Sequence, residues 1–289
     1  MSTSDRSCVS RWSLDILLST GQTLSFDRHG HVDAQAVVFL HGLSGSGATY
    51  TEVVDHLVLG PVASGAVQIF TIDMRGHGQS TKATYETYDT AHYAADIIAF
   101  IEQVIGKPVA LVGHSLGGLV AAQTATTRPD LVHSLLLEDP PFFEGDDAVR
   151  NASPVAAFFP QMVATVRALQ ARSAPASDYE PLVRGTTPPD NWSTRCEMLR
   201  QWDPITMQAA IDGVVWRTFD PVATFTCPVT ILQADPAFGG VFKPGDGPLV
   251  VAANPHADIV LVEGAAHGIH IQPTLPAYLR ELDRFLASL

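Results

Sequence analysis

This 289-residue chain has few cysteines, little basic charge and no long apolar run. Cys8, Cys196 and Cys227 are its three cysteines, lying far apart with no C-x-x-C pair among them. An odd count at that spacing implies no disulfide framework and points to a reducing, cytoplasmic setting. Lys and Arg total 17 against 30 Asp and Glu, a formal net charge of −13. No basic cluster interrupts that balance, which argues against a nucleic-acid-binding surface and disfavours an acidic substrate at long range. Solubility is the simplest use of the acidity. Nothing approaches the roughly 18 uninterrupted apolar residues of a membrane span. The polar stretch from Met1 to Trp12 has no apolar segment of the kind a secretory signal carries, so none is expected. His29, His31, His256, His267 and His270 fall into no H-E-x-x-H or related spacing, so no metal is expected either.

The composition that remains, 46% apolar and 16% charged, suits a soluble enzyme with a large interior. Residues 11–28 alternate apolar and polar about Thr20-Gly21-Gln22, which predicts an antiparallel hairpin. Ala36 to Leu40, Val67 to Ile72, Val109 to Val112, Ser134 to Leu137, Pro228 to Leu232 and Ile259 to Val262 are short apolar runs, as buried parallel strands require. Tyr93, Ile97, Ile98, Ile101 and Val104 have helical spacing, and further helices are expected near 246–253 and 276–287. Alternating strand and helix predicts an α/β protein with a mostly parallel central sheet. After Pro140 the texture changes: residues 140–190 hold eight prolines, with helical pieces around 155–172.

Gly113-His114-Ser115-Leu116-Gly117 lies between an apolar strand and a helix-compatible run. That is the setting of a nucleophile elbow, in which a sharp turn presents the serine Oγ and a helix N-terminus supplies amide donors. Three further segments carry a resemblance in the expected order. They are His41-Gly42-Leu43-Ser44-Gly45, Asp73-Met74-Arg75-Gly76-His77-Gly78-Gln79-Ser80, and Gly264-Ala265-Ala266-His267-Gly268. With the elbow, they make the chain resemble the α/β-hydrolase fold family, serine-nucleophile branch. The resemblance implies a core of residues 1–139 and 222–289, with a helical lid at 140–221 inserted after strand 6.

The same resemblance implies Ser115 as nucleophile and His267 as its base, with His270 the nearest rival. Leu43 and Leu116 would supply the backbone N–H groups of an oxyanion hole. His41 reads as a residue that structures its loop, and Asp73 can pair with Arg75 across the next one. The acid is the open point. Its usual place falls near Gly239, which has no carboxylate, so Asp139 is favoured, then Asp235, then Glu138. A serine rather than an aspartate at the elbow points to acyl transfer to water without a cofactor. Three of the four tryptophans, Trp192, Trp202 and Trp216, fall in the insertion. With Ser44 they are expected to line a partly apolar pocket for a small-molecule substrate. Ester or lactone hydrolysis leads, followed by carbon–carbon hydrolysis of a ring-cleavage product, then a non-catalytic ligand-binding role. The sequence sets no oligomeric state.

Overall fold

A computed structural model describes residues 12–147, 154–185 and 187–289. Cys8 and most of the polar N-terminal stretch lie outside the described residues. Eight strands form one sheet in the order β1-β2-β4-β3-β5-β6-β7-β8. The predicted hairpin is β1 (Trp12–Leu17) against β2 (Thr23–His29), and β2 runs antiparallel to β4 (Val67–Asp73). The other pairings, through β3 (Gln35–Leu40), β5 (Val109–His114), β6 (Val132–Glu138), β7 (Val229–Ala234) and β8 (Asp258–Val262), are parallel. The central strands are buried along nearly their whole length because helices cover both faces, which is why they read as unbroken apolar runs.

Helices α1 (Thr51–Leu59), α2 (Thr90–Phe100) and α3 (Leu116–Thr127) alternate with the early strands, and α8 (Asp246–Ala253) and α9 (Leu275–Leu286) with the last two. Between β6 and β7 lie α4 (Pro154–Ala171), α5 (Glu180–Val183), α6 (Trp192–Gln201) and α7 (Ile205–Ile211). These helices carry their own apolar cluster around Val166, Tyr179, Leu199, Trp202 and Met207. Ala209, Ala210, Val214 and Val215, at the end of the same segment, pack instead into the core under the sheet. Leu43 touches both clusters, so the loop after β3 is where the inserted helices meet the sheet. Among the described residues, no helix is long and apolar enough to cross a membrane.

Strand order reverses between β3 and β5, and the crevice at the carboxyl ends of such a pair is where open α/β sheets place ligands. Both the Ser115 turn and the His41 loop leave the sheet there. Helix α3 can start that close only because position 117 has no side chain. A Cβ on Gly117 would sit 2.0 Å from the Leu40 carbonyl oxygen. Gly117→Ala is therefore expected to lower unfolding free energy by about 1–3 kcal/mol, the usual cost of overpacking, or more. Gly245, at φ −74° with nothing near its missing Cβ, is the control. Gly245→Ala should be neutral, or stabilising by up to about 1 kcal/mol. Urea melts of the two variants check the pair, and equal midpoints would contradict the packing argument.

Candidate active site

Ser115 directly follows β5 in a strained conformation, φ 53° and ψ −116°, as the N-cap of α3. Its Oγ lies 2.9 Å from His267 Nε2, and His267 Nδ1 lies 2.6 Å from Asp139 Oδ2. An ionised carboxylate only accepts hydrogen bonds, so that contact places the imidazole proton on Nδ1. Nε2 is then left as an acceptor facing the serine hydroxyl. Asp139 is fully buried and also takes N–H donors from Ala234, Val241 and Phe242 at 3.2, 2.9 and 3.1 Å. Its φ of 42° turns the side chain back from the end of β6 toward the histidine. Three of the four non-glycine residues described at positive φ, Ser44, Ser115 and Asp139, belong to this site. Backbone strain concentrates where function needs side chains aimed.

The structure separates the three candidate acids. Asp139 reaches His267. Asp235 instead accepts from Ala237 N–H and Gly264 N–H, both at 2.9 Å, capping a short turn and holding the start of the histidine loop. Glu138 is fully buried and accepts from His270 Nδ1 at 2.8 Å and His270 N–H at 3.0 Å. The rival histidine is thus committed to the rival acid. Burial opposes ionisation of Glu138, but its electrostatic attraction to the neighbouring His270 and His114 rings and the His270 hydrogen bonds outweigh it and lower its pKa to about 2. His114 donates from Nε2 to the His267 carbonyl at 3.0 Å, and its ring lies 4.7 Å from that of His267. His114, Glu138 and His270 bring ligand-type atoms within 4.8 Å of one another. Both Glu138 oxygens face His270 Nδ1, while among the described residues His114 Nδ1 and His270 Nε2 are buried without a hydrogen-bond partner.

The loop carrying Leu43 is strapped from below by two neutral histidines. His41 donates Nδ1–H to the Gly42 carbonyl at 2.8 Å and accepts the Met74 N–H on Nε2 at 3.0 Å. His77 donates Nδ1–H to the Arg75 carbonyl at 2.9 Å and accepts the Ser44 N–H at 3.3 Å. Either ring would lose its acceptor on protonation. Leu116 is the first residue of α3, where an N–H has no intrahelical partner. Among the described residues no acceptor is bonded to the Leu43 N–H.

Other expectations need correction. Asp73 does not pair with Arg75. Asp73 accepts the Gly47 and Gln79 N–H groups at 2.7 and 2.8 Å, while Arg75 turns into the core to meet buried Asp96 at 2.6 Å. Trp202 is fully buried and bonds Thr206 Oγ1 at 2.6 Å, packing the inserted helices together. Trp192 and Trp216 are partly buried, with their indole N–H groups held by the Thr187 and Pro141 carbonyls, both at 2.8 Å. Ser44 is buried and taken by Arg195 of α6, a residue that sequence reading did not single out. That contact spans 151 positions, and no local pattern announces it.

A strained serine on a strand-to-helix turn, faced by a carboxylate-oriented histidine, defines a nucleophile-elbow α/β protein. Residues 35–274 match the alpha/beta hydrolase fold family, and the chain belongs to that family. Among curated proteins, it is 40% identical over 115 residues to the sn-1-specific diacylglycerol lipase ABHD11 of Danio rerio. That match covers 39% of this chain and 33% of the relative. Lipase LipV of Mycobacterium tuberculosis is 35% identical over 117 residues, 40% of this chain and 41% of that one. The matched stretch therefore spans less than half the length of either relative. Similar solved structures include a marine microorganism esterase, TM-score 0.73 at 22% identity, covering 91% of this chain and 98% of that one. An esterase from Exiguobacterium antarcticum gives 0.71 at 19%, covering 96% and 100%. At those identities the likeness is one of fold.

The buried histidines make stability depend on pH with a definite sign. Desolvation lowers the pKa of His41 to about 4 and of His114 to about 3, and holds His77 well below its ordinary value. Each binds a proton more readily unfolded than folded. Their contribution is complete above about pH 6.5, the unfolded value, and is lost as pH falls through the folded values. Glu138 adds a loss of the same sign, from about pH 4.5 down through 2. The urea midpoint should be level above about pH 7 and fall steadily between pH 6.5 and 4. A level midpoint across that window would contradict neutral, buried histidines.

Proposed function

We propose that this chain is a serine hydrolase that cleaves a carboxylic ester or lactone of a small, partly apolar molecule through an acyl-enzyme. The observation that carries the reading is the unbroken line from Ser115 Oγ through His267 to Asp139, at 2.9 and 2.6 Å. A hydroxyl is a weak nucleophile at neutral pH, and His267 Nε2 stands where a general base must stand. As Oγ bonds to the acyl carbon, the carbonyl electron pair moves onto oxygen and the hydroxyl proton passes to Nε2. The Asp139 carboxylate stabilises the imidazolium, which then protonates the leaving alkoxide as the carbon–oxygen bond breaks. Water repeats the sequence on the acyl-enzyme and returns Ser115.

Leu43 and Leu116 N–H groups supply the oxyanion donors in this reading, each worth on the order of 3 kcal/mol of barrier. Residues 140–221 act as a lid over the crevice, an assignment supported by the Leu43 contact with both apolar clusters. The lipase relatives favour the hydrolase class.

The reading is tested on p-nitrophenyl butyrate with three variants. Ser115→Ala should reduce kcat to a residual background, by roughly 10⁶-fold. Asp139→Asn should lose on the order of 10⁴-fold, the cost of removing the group that sets the histidine tautomer. Asp235→Asn should stay within about tenfold of wild type, because its carboxylate holds backbone rather than the imidazole. Asp139→Asn at near wild-type rates with Asp235→Asn inactive would overturn the assignment of the acid. Unchanged turnover in Ser115→Ala would overturn the mechanism.

A further inference from the structure

The fold treats its withdrawn arginines in two different ways. Arg75, almost wholly buried, is neutralised by Asp96 at 2.6 Å. Arg195, partly buried on α6, has no such partner: among the described residues no carboxylate lies within ion-pair distance. Its Nη1 donates to the Ser44 carbonyl and its Nη2 to Ser44 Oγ at 2.7 Å, while Nη1 also lies 3.9 Å from Met198 Sδ. Desolvation lowers its pKa to about 10, which leaves it cationic at neutral pH. A guanidinium offers five N–H donors in a planar fork, so the bonds to Ser44 and the Met198 sulfur leave two donors unused. Withdrawing a cation from water without a counter-charge is unfavourable, and an anion arriving beside it relieves that cost.

The position of the cation suggests which anion. Ser44 directly follows Leu43 in the loop after β3, and a Cβ on Gly42 in that loop would lie 3.3 Å from Ser115 Cβ. Arg195 therefore stands on the loop that borders the nucleophile. We propose that Arg195 recognises a carboxylate on the substrate, so that the favoured esters or lactones carry a free carboxylate beside the scissile acyl group. The inference rests on the serine-hydrolase reading and narrows its substrate class. It also sets a local attraction against the long-range repulsion of a chain with net charge −13. Charge-assisted contact at hydrogen-bond distance is about twice as strong as a neutral hydrogen bond, whereas diffuse surface charge is screened within about 8–10 Å in physiological salt.

The test compares mono-p-nitrophenyl glutarate with its methyl ester, which has the same chain with the charge masked. Wild type should favour the free acid in kcat/KM. Arg195→Gln should cut the ratio of the two by roughly 10- to 100-fold, chiefly through KM, the range expected for loss of a charged hydrogen bond. Arg195→Lys should retain an intermediate ratio, because it keeps the charge and loses the fork. Equal loss on both esters, or no preference in wild type, would overturn the inference and leave Arg195 as a brace for Ser44. Glutarate alone, followed by titration calorimetry, should bind wild type and fail to bind Arg195→Gln. Absence of that binding in wild type also overturns the proposal. Labelling of Ser115 by a fluorophosphonate in the same preparations separates the two readings. Labelled protein with no carboxylate preference defeats this inference alone, while an unreactive Ser115 defeats the hydrolase reading beneath it.

Discussion

The histidine loop has to travel from β8, at the edge of the sheet, back to the end of β5 near its centre, and every other feature of the site depends on holding it there. Three carboxylates do so. Asp235 takes the Gly264 N–H at the loop's start and donates its own N–H to the Ala265 carbonyl, both at 2.9 Å. Asp139 holds the His267 ring, and Glu138 holds the His270 ring and backbone. His114, beside the serine, donates to the His267 carbonyl and so ties the loop directly to the elbow. Two of these carboxylates are fully buried, where an unmatched charge costs several kcal/mol. The loop cannot leave without stranding them. That coupling is a physical reason for the imidazole to keep its geometry without a substrate present.

The opposite wall of the site is held by a different chemistry. Two neutral histidines strap the loop containing Leu43 from beneath, and Arg195 clasps Ser44 from the inserted helices. Amides fixed in advance need no reorganisation when charge develops on a carbonyl oxygen, which is where most catalytic stabilisation of this kind arises. Arg195 couples that wall to the helices between β6 and β7. In this arrangement a substrate anion that engages Arg195 also loads the loop bearing the Leu43 amide.

Much of the scaffold was legible because its elements obey local rules. Buried parallel strands are apolar throughout, the hairpin alternates, and the strand–Ser115–helix junction combines glycines with a nucleophile in a way few other structures need. Which carboxylate faces His267 was harder to read, for a physical reason. Glu138, Asp139 and Asp235 all sit at strand ends facing the same loop, and a linear count does not say which way each carboxylate turns. The positive φ at Asp139 decides it, and no residue type announces a positive φ at an aspartate. The Asp73–Arg75 pair failed because Asp96, distant in sequence, offered Arg75 a buried partner. Trp202 was read as pocket lining because sequence shows that a large ring is present in the insertion but not which side of a helix pair it fills.

The central claim is that the Asp139–His267 pair activates Ser115, and fluorophosphonate labelling followed by intact mass tests it most directly. Wild type should gain one adduct, mapped to Ser115, at a rate that falls when Asp139 is replaced by Asn and changes little when Asp235 is. A folded wild-type protein that gains no adduct, or gains it on a residue other than Ser115, would contradict the account.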